Sequence, residues 1–241
     1  MIHTRKTGGF LLIDKPSGIT SFSVIRHVQR LLGKGIRIGH AGTLDPLASG
    51  LLLVAIGRES TRQLKVTCSY TKTYRCTGKL FELTDTYDRF GTITHTETPF
   101  FVDHDALIGA LSSFKNGYVQ APPVYSAVKH HGVPLYKLAR KNRLPLEELT
   151  RITTFKKKDV TVSESKLLSY DMPFFSFEVT VSHGAYVRIL VNDIARSLGT
   201  VATVQELMRT HIGPLSSEHA VTLESLTSSD TLMSRLIEKL P

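Results

Sequence analysis

An acidic and an imidazole side chain, Asp45 and His40, lie close together in a segment rich in glycine, threonine and proline. The apolar run from Leu51 to Ile56 follows at once; it suits a buried strand and is too short to cross a membrane. Pro46 fixes its own φ and biases Asp45 toward an extended backbone. A carboxylate on a rigid loop at a strand end is a common place for catalysis. An aspartate in such a loop also commonly makes an Asx-turn, so both interpretations stand at this point.

The composition indicates a folded, basic protein. The 241 residues suit one elaborated domain, or one domain with a small appendage. A hydrophobic fraction of 41% excludes global disorder. Lys and Arg number 30 against 21 Asp and Glu, a formal charge of +9. That surplus favours an acidic partner, of which nucleic acid is the usual one.

The cysteine content and the N-terminal sequence give further information on the kind of protein and its cellular compartment. Cys68 and Cys76 are not accompanied by a second pair of metal ligands, so we expect reduced thiols and no metal site. The chain start shows no signal-peptide pattern, and we expect a cytoplasmic protein without a membrane segment.

Strands and helices are mixed without regular alternation. This pattern predicts an α+β fold around a mixed, largely antiparallel sheet flanked by helices. The apolar periodicity predicts strands over Phe10–Ile13, Tyr70–Leu83 and Phe175–Val181, strand-like pieces between Arg151 and Tyr170, and helices over Phe22–Leu32, after Asp103, over Leu135–Lys141, over Val187–Leu198 and from Thr222 onward.

The segment around Asp45, Gly-His-Ala-Gly-Thr-Leu-Asp-Pro-Leu-Ala-Ser-Gly, resembles the catalytic motif of the TruB family of tRNA pseudouridine synthases. Three further blocks resemble that family's motifs in the same order. They are Asp14–Ser21, Lys72–Arg75 and Leu207–Pro214. The resemblance covers most of the chain and implies the pseudouridine synthase fold, with a mobile thumb-like insertion at about 124–152 that closes over RNA.

The resemblance implies three catalytic residues. Asp45 matches the catalytic aspartate, which acts as nucleophile or base while the glycosidic bond of a uridine is broken. Arg188 matches the arginine that pairs with this aspartate and keeps it ionised. Tyr74 matches the tyrosine that stacks on the flipped base. Without the resemblance, Arg188 reads as a helix-surface residue and Tyr74 as an inward-facing aromatic of a strand.

Five further residues match substrate-binding or supporting positions of the family. His40 matches a histidine that fills the gap left by the flipped nucleotide, and Tyr186 and Leu207 match residues lining the uracil pocket. Lys15 would support the catalytic loop, and Asp88 matches an acid near the site. Each also has an interpretation without a function. His40 would be a hydrogen-bonding histidine, and Tyr186 and Leu207 would pack in the core. Lys15 would be a surface lysine, and Asp88 would belong to a polar turn.

The implied reaction is the isomerisation of uridine to pseudouridine at position 55 in the T loop of tRNA, with no cofactor and no metal. The partner would be the T-stem loop of tRNA, bound by a monomer. We expect a catalytic domain over 1–221 and a helical tail over 222–241, without the small C-terminal RNA-binding (PUA-like) domain common in the family. Met208 stands where the family usually has an arginine, which would remove one phosphate contact.

Three other functions remain open at the level of sequence. A non-catalytic tRNA-binding or tRNA-folding protein would share the basic surface. A carboxylate-based sugar hydrolase would need a paired acid, for which Asp85 and Asp88 are candidates by composition only. A guide-RNA-dependent synthase of the same family is disfavoured by the absence of long basic tails.

Overall fold

A computed structural model of the chain describes residues 8–240. They form two compact units. The first contains the residues up to Tyr74 together with those from Leu207 onward, and the second runs from Arg75 to Glu206. No helix in the described part of the chain is long and apolar enough to span a membrane. The first seven residues, which entered the expectation of no signal peptide, lie outside the described range.

The secondary structure follows the chain in this order. The strands are β1 (Gly9–Lys15), β2 (Ile38–Ala41), β3 (Ser49–Ile56), β4 (Lys72–Leu80), β5 (Glu82–Thr84), β6 (Ile93–Thr96), β7 (Tyr118–Gln120), β8 (Lys129–His130), β9 (Val133–Pro134), β10 (Lys158–Val160), β11 (Val162–Asp171), β12 (Phe174–Val181), β13 (Ala202–Ile212), β14 (Leu215–Ser216) and β15 (Val221–Thr222). The helices are α1 (Ser21–Leu32), α2 (Arg58–Cys68), α3 (His104–Ser113), α4 (Leu135–Arg140), α5 (Leu146–Phe155), α6 (Val187–Ser197) and α7 (Ser229–Ser234), with a short 3-10 helix at Ser217–His219.

Strand β3 is the centre of the first unit's sheet. It is antiparallel to β1 and to β2 and parallel to β13, while β1 is parallel to β15. The apolar run from Leu51 to Ile56 is buried throughout, as the sequence predicts. Such burial on both faces is typical of a central strand in a mixed sheet. The α+β class with a mixed sheet is therefore confirmed.

Helix α1 begins one residue before the predicted start at Phe22 and ends at Leu32, as predicted. The hydroxyl of Thr20 accepts a hydrogen bond from the backbone N–H of Ser23 (3.0 Å) and caps the first turn. Gly33 ends the helix at φ 82°, a conformation that favours glycine. Val24 and Val28 are fully buried on its inner face. Helix α2, by contrast, was not anticipated, because its apolar residues are few.

Between Thr222 and residue 240, the last one described, the chain is helical only over α7, so the expectation of a helical tail beginning at Thr222 is wrong in its extent. Ser228 caps α7 with a reciprocal pair of hydrogen bonds to Thr231, which sets the start of the helix late. Beyond the helix, the N–H and C=O of Ile237 exchange hydrogen bonds with those of Phe10 (2.7 and 2.8 Å). This bridge needs extended backbone at Ile237 and therefore ends the helix before it.

In the second unit, β12 shows the alternation that the sequence predicts. Phe175, Phe177, Val179 and Val181 are buried, and the residues between them are half-buried. β11 pairs antiparallel with β12. Helix α6 then buries Val187, Leu190, Val191 and Ile194, as expected, whereas Leu198 is the C-cap residue and is half-buried.

The segment 124–152 has a small apolar cluster of its own. Leu135 and Leu138 of α4 pack with Leu149 and Ile152 of α5. Helix α5 continues to Phe155 and so ends just before the strand-like pieces expected around Lys156–Lys158, where β10 begins at Lys158. Leu149 and Ile152 share one helix face against α4, and this packing favours the helix.

We expect Leu232→Ala, a change in α7, to lower the free energy of unfolding by about 2–5 kcal/mol, because Leu232 is fully buried in the first unit. Chemical denaturation measures the effect. The matched control is Leu146→Ala, since Leu146 is 63% exposed and its loss is expected to change stability by less than about 0.5 kcal/mol. Equal effects of the two changes would show that the C-terminal segment is not part of this core.

Candidate active site

The Asp45 loop connects β2 to β3 and is attached along its length to the β1–α1 turn. The hydroxyl of Ser21 donates to the carbonyl of Leu44 (3.0 Å) and accepts from its N–H (2.9 Å). The N–H of Gly18 donates to the carbonyl of Pro46 (2.8 Å). Leu44 is also buried. The loop on which Asp45 stands is thus held by hydrogen bonds and packing on both sides of that residue.

Arg209, on β13, joins this loop to the sheet. Its Nε donates to the carbonyl of Leu51 (2.8 Å) and its Nη2 donates to the carbonyl of Gly42 (2.9 Å). Only 1% of its surface is exposed. Gly42 has φ 65°, and a Cβ on it would lie 3.2 Å from Nη1 of Arg209. Glycine therefore suits this position for its backbone conformation and for the close approach of the guanidinium.

Two buried lysines lie near Arg209. Lys15 donates from Nζ to the carbonyls of Pro16 and Ile19 (both 2.9 Å), which closes the turn that supports the Asp45 loop. Burial, opposed by the attraction of Asp45, lowers the pKa of Lys15 to about 8. Burial and the charge of Arg209 lower the pKa of Lys72 to about 8 as well. The interpretation of Lys15 as an exposed turn lysine is wrong, because none of its surface is exposed.

His40 lies on β2, opposite Val54 of β3. Its Nδ1 is buried and has no hydrogen-bond partner within residues 8–240. Burial, and secondarily the charge of Arg209, lowers the pKa of its imidazole. We therefore expect a neutral ring at pH 7.

Tyr74 and Leu207 are the remaining predicted site residues that lie in the first unit. Tyr74 is half-buried on β4, next to Thr73, whose carbonyl accepts from the hydroxyl of Thr210 (3.3 Å). Leu207 is buried on β13, beside the Met208–Ser49 pair that joins β13 to β3. The first unit therefore contains Asp45, His40, Lys15, Tyr74 and Leu207 of the predicted set.

The second unit contains Arg188, Asp88 and Tyr186. Arg188 is in the first turn of α6 with 3% of its surface exposed, so its interpretation as a helix-surface residue is wrong. Its Nη1 donates to the carbonyl of Thr86, and its Nη2 donates to the carbonyl of Tyr125 (3.0 Å). The guanidinium is thus held by main-chain groups on two loops.

Asp88 faces Arg188, with Oδ2 3.8 Å from Nη1. Its other oxygen accepts from the hydroxyl of Thr86 (2.8 Å) and from the N–H of Phe90 (3.0 Å). The polar turn that contains Asp88 is therefore an ordered structure around a buried carboxylate. Asp88 and Arg188, which sequence reasoning placed in one site by resemblance alone, do lie together.

Arg209 and Lys72 are the residues of this region that sequence reasoning missed as contributors. Both lie inside blocks that carry the resemblance, but neither was given a role. A charged residue in a strand is usually assigned to the surface, since burial of a lone charge is costly. Strand β13 carries several other polar residues, so its sequence offers no signal that Arg209 is buried.

Two family models match the chain. Residues 29–187 match the TruB family pseudouridylate synthase N-terminal domain, and residues 188–239 match the tRNA pseudouridylate synthase B C-terminal domain. The tRNA pseudouridine synthase B of Syntrophotalea carbinolica is 40% identical over 218 residues, covering 90% of this chain and 68% of that protein. The protein of the same name from Burkholderia lata is 41% identical over 229 residues, covering 95% and 68%.

Solved structures are similar over nearly all of the chain. A chain in the crystal structure of a Cbf5-Nop10-Gar1 complex matches with a TM-score of 0.69 and 27% identity, covering 94% of this chain and 55% of that one. A chain in the structure of an H/ACA RNP bound to a substrate RNA containing 2′-deoxyuridine matches with a TM-score of 0.65 and 26% identity, covering 90% and 52%. The chain spans about half the length of these solved chains.

Replacing Arg209 by Met is expected to raise the pKa of His40 toward its ordinary value, because one of the two causes that lower it is removed. The ring protons of His40, followed by NMR between pH 4 and 8, measure this shift. Arg209→Lys keeps the charge and should keep most of the shift. Arg58→Met removes an exposed arginine and is the control. An unchanged His40 titration in Arg209→Met would contradict the electrostatic coupling.

Proposed function

The chain belongs to the TruB family of pseudouridylate synthases, and from this membership we infer that it isomerises uridine to pseudouridine in tRNA. We propose the uridine at position 55 in the T loop as its target. The observation that carries the proposal is Asp45 itself, on a loop tied to the β1–α1 turn and to buried Arg209. A carboxylate fixed in this way suits a reaction that needs a positioned nucleophile or base.

The reaction replaces one bond of the base with another and needs no other reactant. The bond between N1 and C1′ breaks with Asp45 acting at the sugar or the base, the uracil turns, and C5 bonds to C1′. The proton lost from C5 is balanced by one gained at N1, so the product is an isomer. In this proposal Tyr74 stacks on the base, and it is the candidate for moving the proton.

Arg188 is the proposed partner that keeps Asp45 ionised during the reaction. Support for this role comes from the second unit, where two carbonyls and Asp88 hold the guanidinium in a defined orientation. A fixed cation needs little rearrangement when charge develops nearby. The pairing of Asp45 with Arg188 stays a prediction.

The target base must leave its stack before it can react. We assign His40 to fill the vacated space, and Tyr186 and Leu207 to line the uracil site. We assign Lys15 to support the Asp45 loop through the β1–α1 turn, whose carbonyls it binds. The unpartnered Nδ1 of His40 supports its assignment, because a ring engaged in hydrogen bonds with its own protein would be less available to RNA.

We propose that the T-stem loop of tRNA is bound by a monomer, with the insertion at 124–152 contacting the RNA. Support comes from its exposed cations, which can neutralise phosphates. They are Lys129, Lys137, Arg140, Lys141 and Arg143.

An unmodified tRNA transcript tests the proposed function. Wild-type protein without added metal or cofactor is expected to produce one pseudouridine, in the T loop, detected as a chemically induced stop in primer extension. Asp45→Asn is expected to lower the rate by at least about a thousandfold, since it removes the reacting carboxylate. Asp105→Asn, at a side chain that is 93% exposed, is the matched control.

Two results would contradict the proposal in different ways. No pseudouridine with the wild-type protein, although tRNA binds, would favour the non-catalytic tRNA-binding alternative. Full activity in Asp45→Asn would retain the enzyme class and reject Asp45 as the reacting group.

We expect the single-turnover rate to fall as the pH rises above about 8, because Lys15 has a pKa of about 8 and loses its charge beside Asp45 there. Lys15→Arg is expected to move this decline to higher pH, since arginine stays protonated. Lys72→Arg is the informative comparison, because the pKa of Lys72 is also about 8. A decline that shifts in Lys72→Arg but not in Lys15→Arg would assign it to Lys72 instead.

A further inference from the structure

Gln120, at the end of β7, forms hydrogen bonds with both main-chain polar groups of Tyr186, its N–H and its carbonyl. Its Oε1 accepts from the N–H of Tyr186 (2.7 Å), and its Nε2 donates to the carbonyl of Tyr186 (3.1 Å). Gln120 has 3% of its surface exposed and lies 66 residues from Tyr186 in the chain. A primary amide is the side-chain group that can donate and accept in one plane, as a neighbouring strand would.

Two other side chains fix the orientation of this amide. The second hydrogen of Nε2 is donated to the hydroxyl oxygen of Tyr118. The carboxylate of Asp193 on α6 interacts with Tyr118, and burial raises the pKa of Asp193 to about 6. An amide nitrogen only donates hydrogen bonds, so the direction of the contact between Gln120 and Tyr118 is fixed. The donor side of the amide faces Tyr118, and its acceptor faces the N–H of Tyr186.

Tyr186 is the N-cap residue of α6, a position that favours Ser, Thr, Asp or Asn. Its side chain makes no capping hydrogen bond. Its carbonyl accepts from the N–H groups of Ile189 and Leu190 (both 3.1 Å) and so begins the helix. A residue that breaks the local preference at this position is typical of a site where function overrides stability.

We propose that Gln120 is a positioning residue for the reaction, acting through Tyr186 and the first turn of α6. The inference rests on the proposed function, which assigns Tyr186 to the uracil site and Arg188 to Asp45. Gln120 fixes the backbone from which Tyr186 projects, and Arg188 follows two residues later in the same turn. Loss of the amide loosens both side chains where they act on the substrate, without removing either.

Hydrogen exchange tests the positioning independently of activity. Gln120→Met keeps the length of the side chain and removes both polar atoms. The N–H of Tyr186 is expected to exchange at least about tenfold faster in this variant, since its acceptor is lost. Gln63→Met, at an exposed glutamine of α2, is the matched control and should leave this exchange rate unchanged. An unchanged rate at Tyr186 in Gln120→Met would overturn the proposal.

Single-turnover kinetics test the functional consequence. Gln120→Met and Gln120→Glu are expected to slow pseudouridine formation at least about tenfold, with the Kd for tRNA within about twofold of wild type. Glu is informative because it keeps the acceptor for the Tyr186 N–H and loses the donor to its carbonyl. A rate within twofold of wild type, or a loss accounted for entirely by weaker binding or a smaller folded fraction, would overturn the proposal.

Tyr118→Phe keeps the proposal testable if the Gln120 variants do not fold. It leaves both bonds to Tyr186 and removes the hydroxyl that orients the amide, so we expect a smaller decrease in rate, about threefold. An unchanged rate would contradict the role of the hydrogen-bond chain. If wild-type protein makes no pseudouridine, the proposed function fails, and hydrogen exchange at Tyr186 still decides whether Gln120 holds this residue.

Discussion

The first unit depends on the burial of one guanidinium group. A cation removed from water is costly unless every donor finds an acceptor. Arg209 binds the carbonyl of Leu51 in the central strand and the carbonyl of Gly42 in the Asp45 loop, so the same group anchors sheet and loop. Arginine cannot lose its proton in the physiological range. Burial lowers the pKa values of Lys15, Lys72 and His40, and the fixed charge of Arg209 lowers each of them further.

The second unit uses a buried arginine in a related way. Arg188 is held by main-chain carbonyls and faces Asp88, which is itself fixed by Thr86 and Phe90. In both units the buried arginine donates hydrogen bonds to main-chain carbonyls of strands, turns or loops. The position of each guanidinium is therefore set before any substrate binds. Preorganised charges of this kind stabilise a transition state without rearrangement, and this is the physical basis for assigning a catalytic function to such a chain.

Much of the framework can be predicted from local patterns. The helix that ends at Leu32, the strand over Phe175–Val181 and helix α6 are each determined by neighbouring residues, and each was predicted. The predictions that were wrong or missing concern segments whose structure depends on residues far away in the chain. The end of α7 follows from the pairing of Ile237 with Phe10, and the helix over Leu149 and Ile152 follows from packing on α4. The candidate residues came from the family resemblance, and Asp88, Tyr186 and Arg188 lie outside the four blocks quoted for it. The burial of Lys15 and Arg209 could not be inferred, because nothing in the local sequence indicates which carbonyls will solvate them.

The first unit is formed by two separate segments of the chain, and this has a consequence for biosynthesis. Gly42 and Arg209 are 167 residues apart in the chain. A ribosome that has delivered the Asp45 loop must still synthesise the whole second unit before the strand that carries Arg209 emerges. Domains tend to fold as their residues leave the ribosome. The second unit is contiguous and is synthesised in full between the Asp45 loop and Arg209. A nascent chain therefore lacks the Arg209 anchor of the Asp45 loop until β13 has been synthesised.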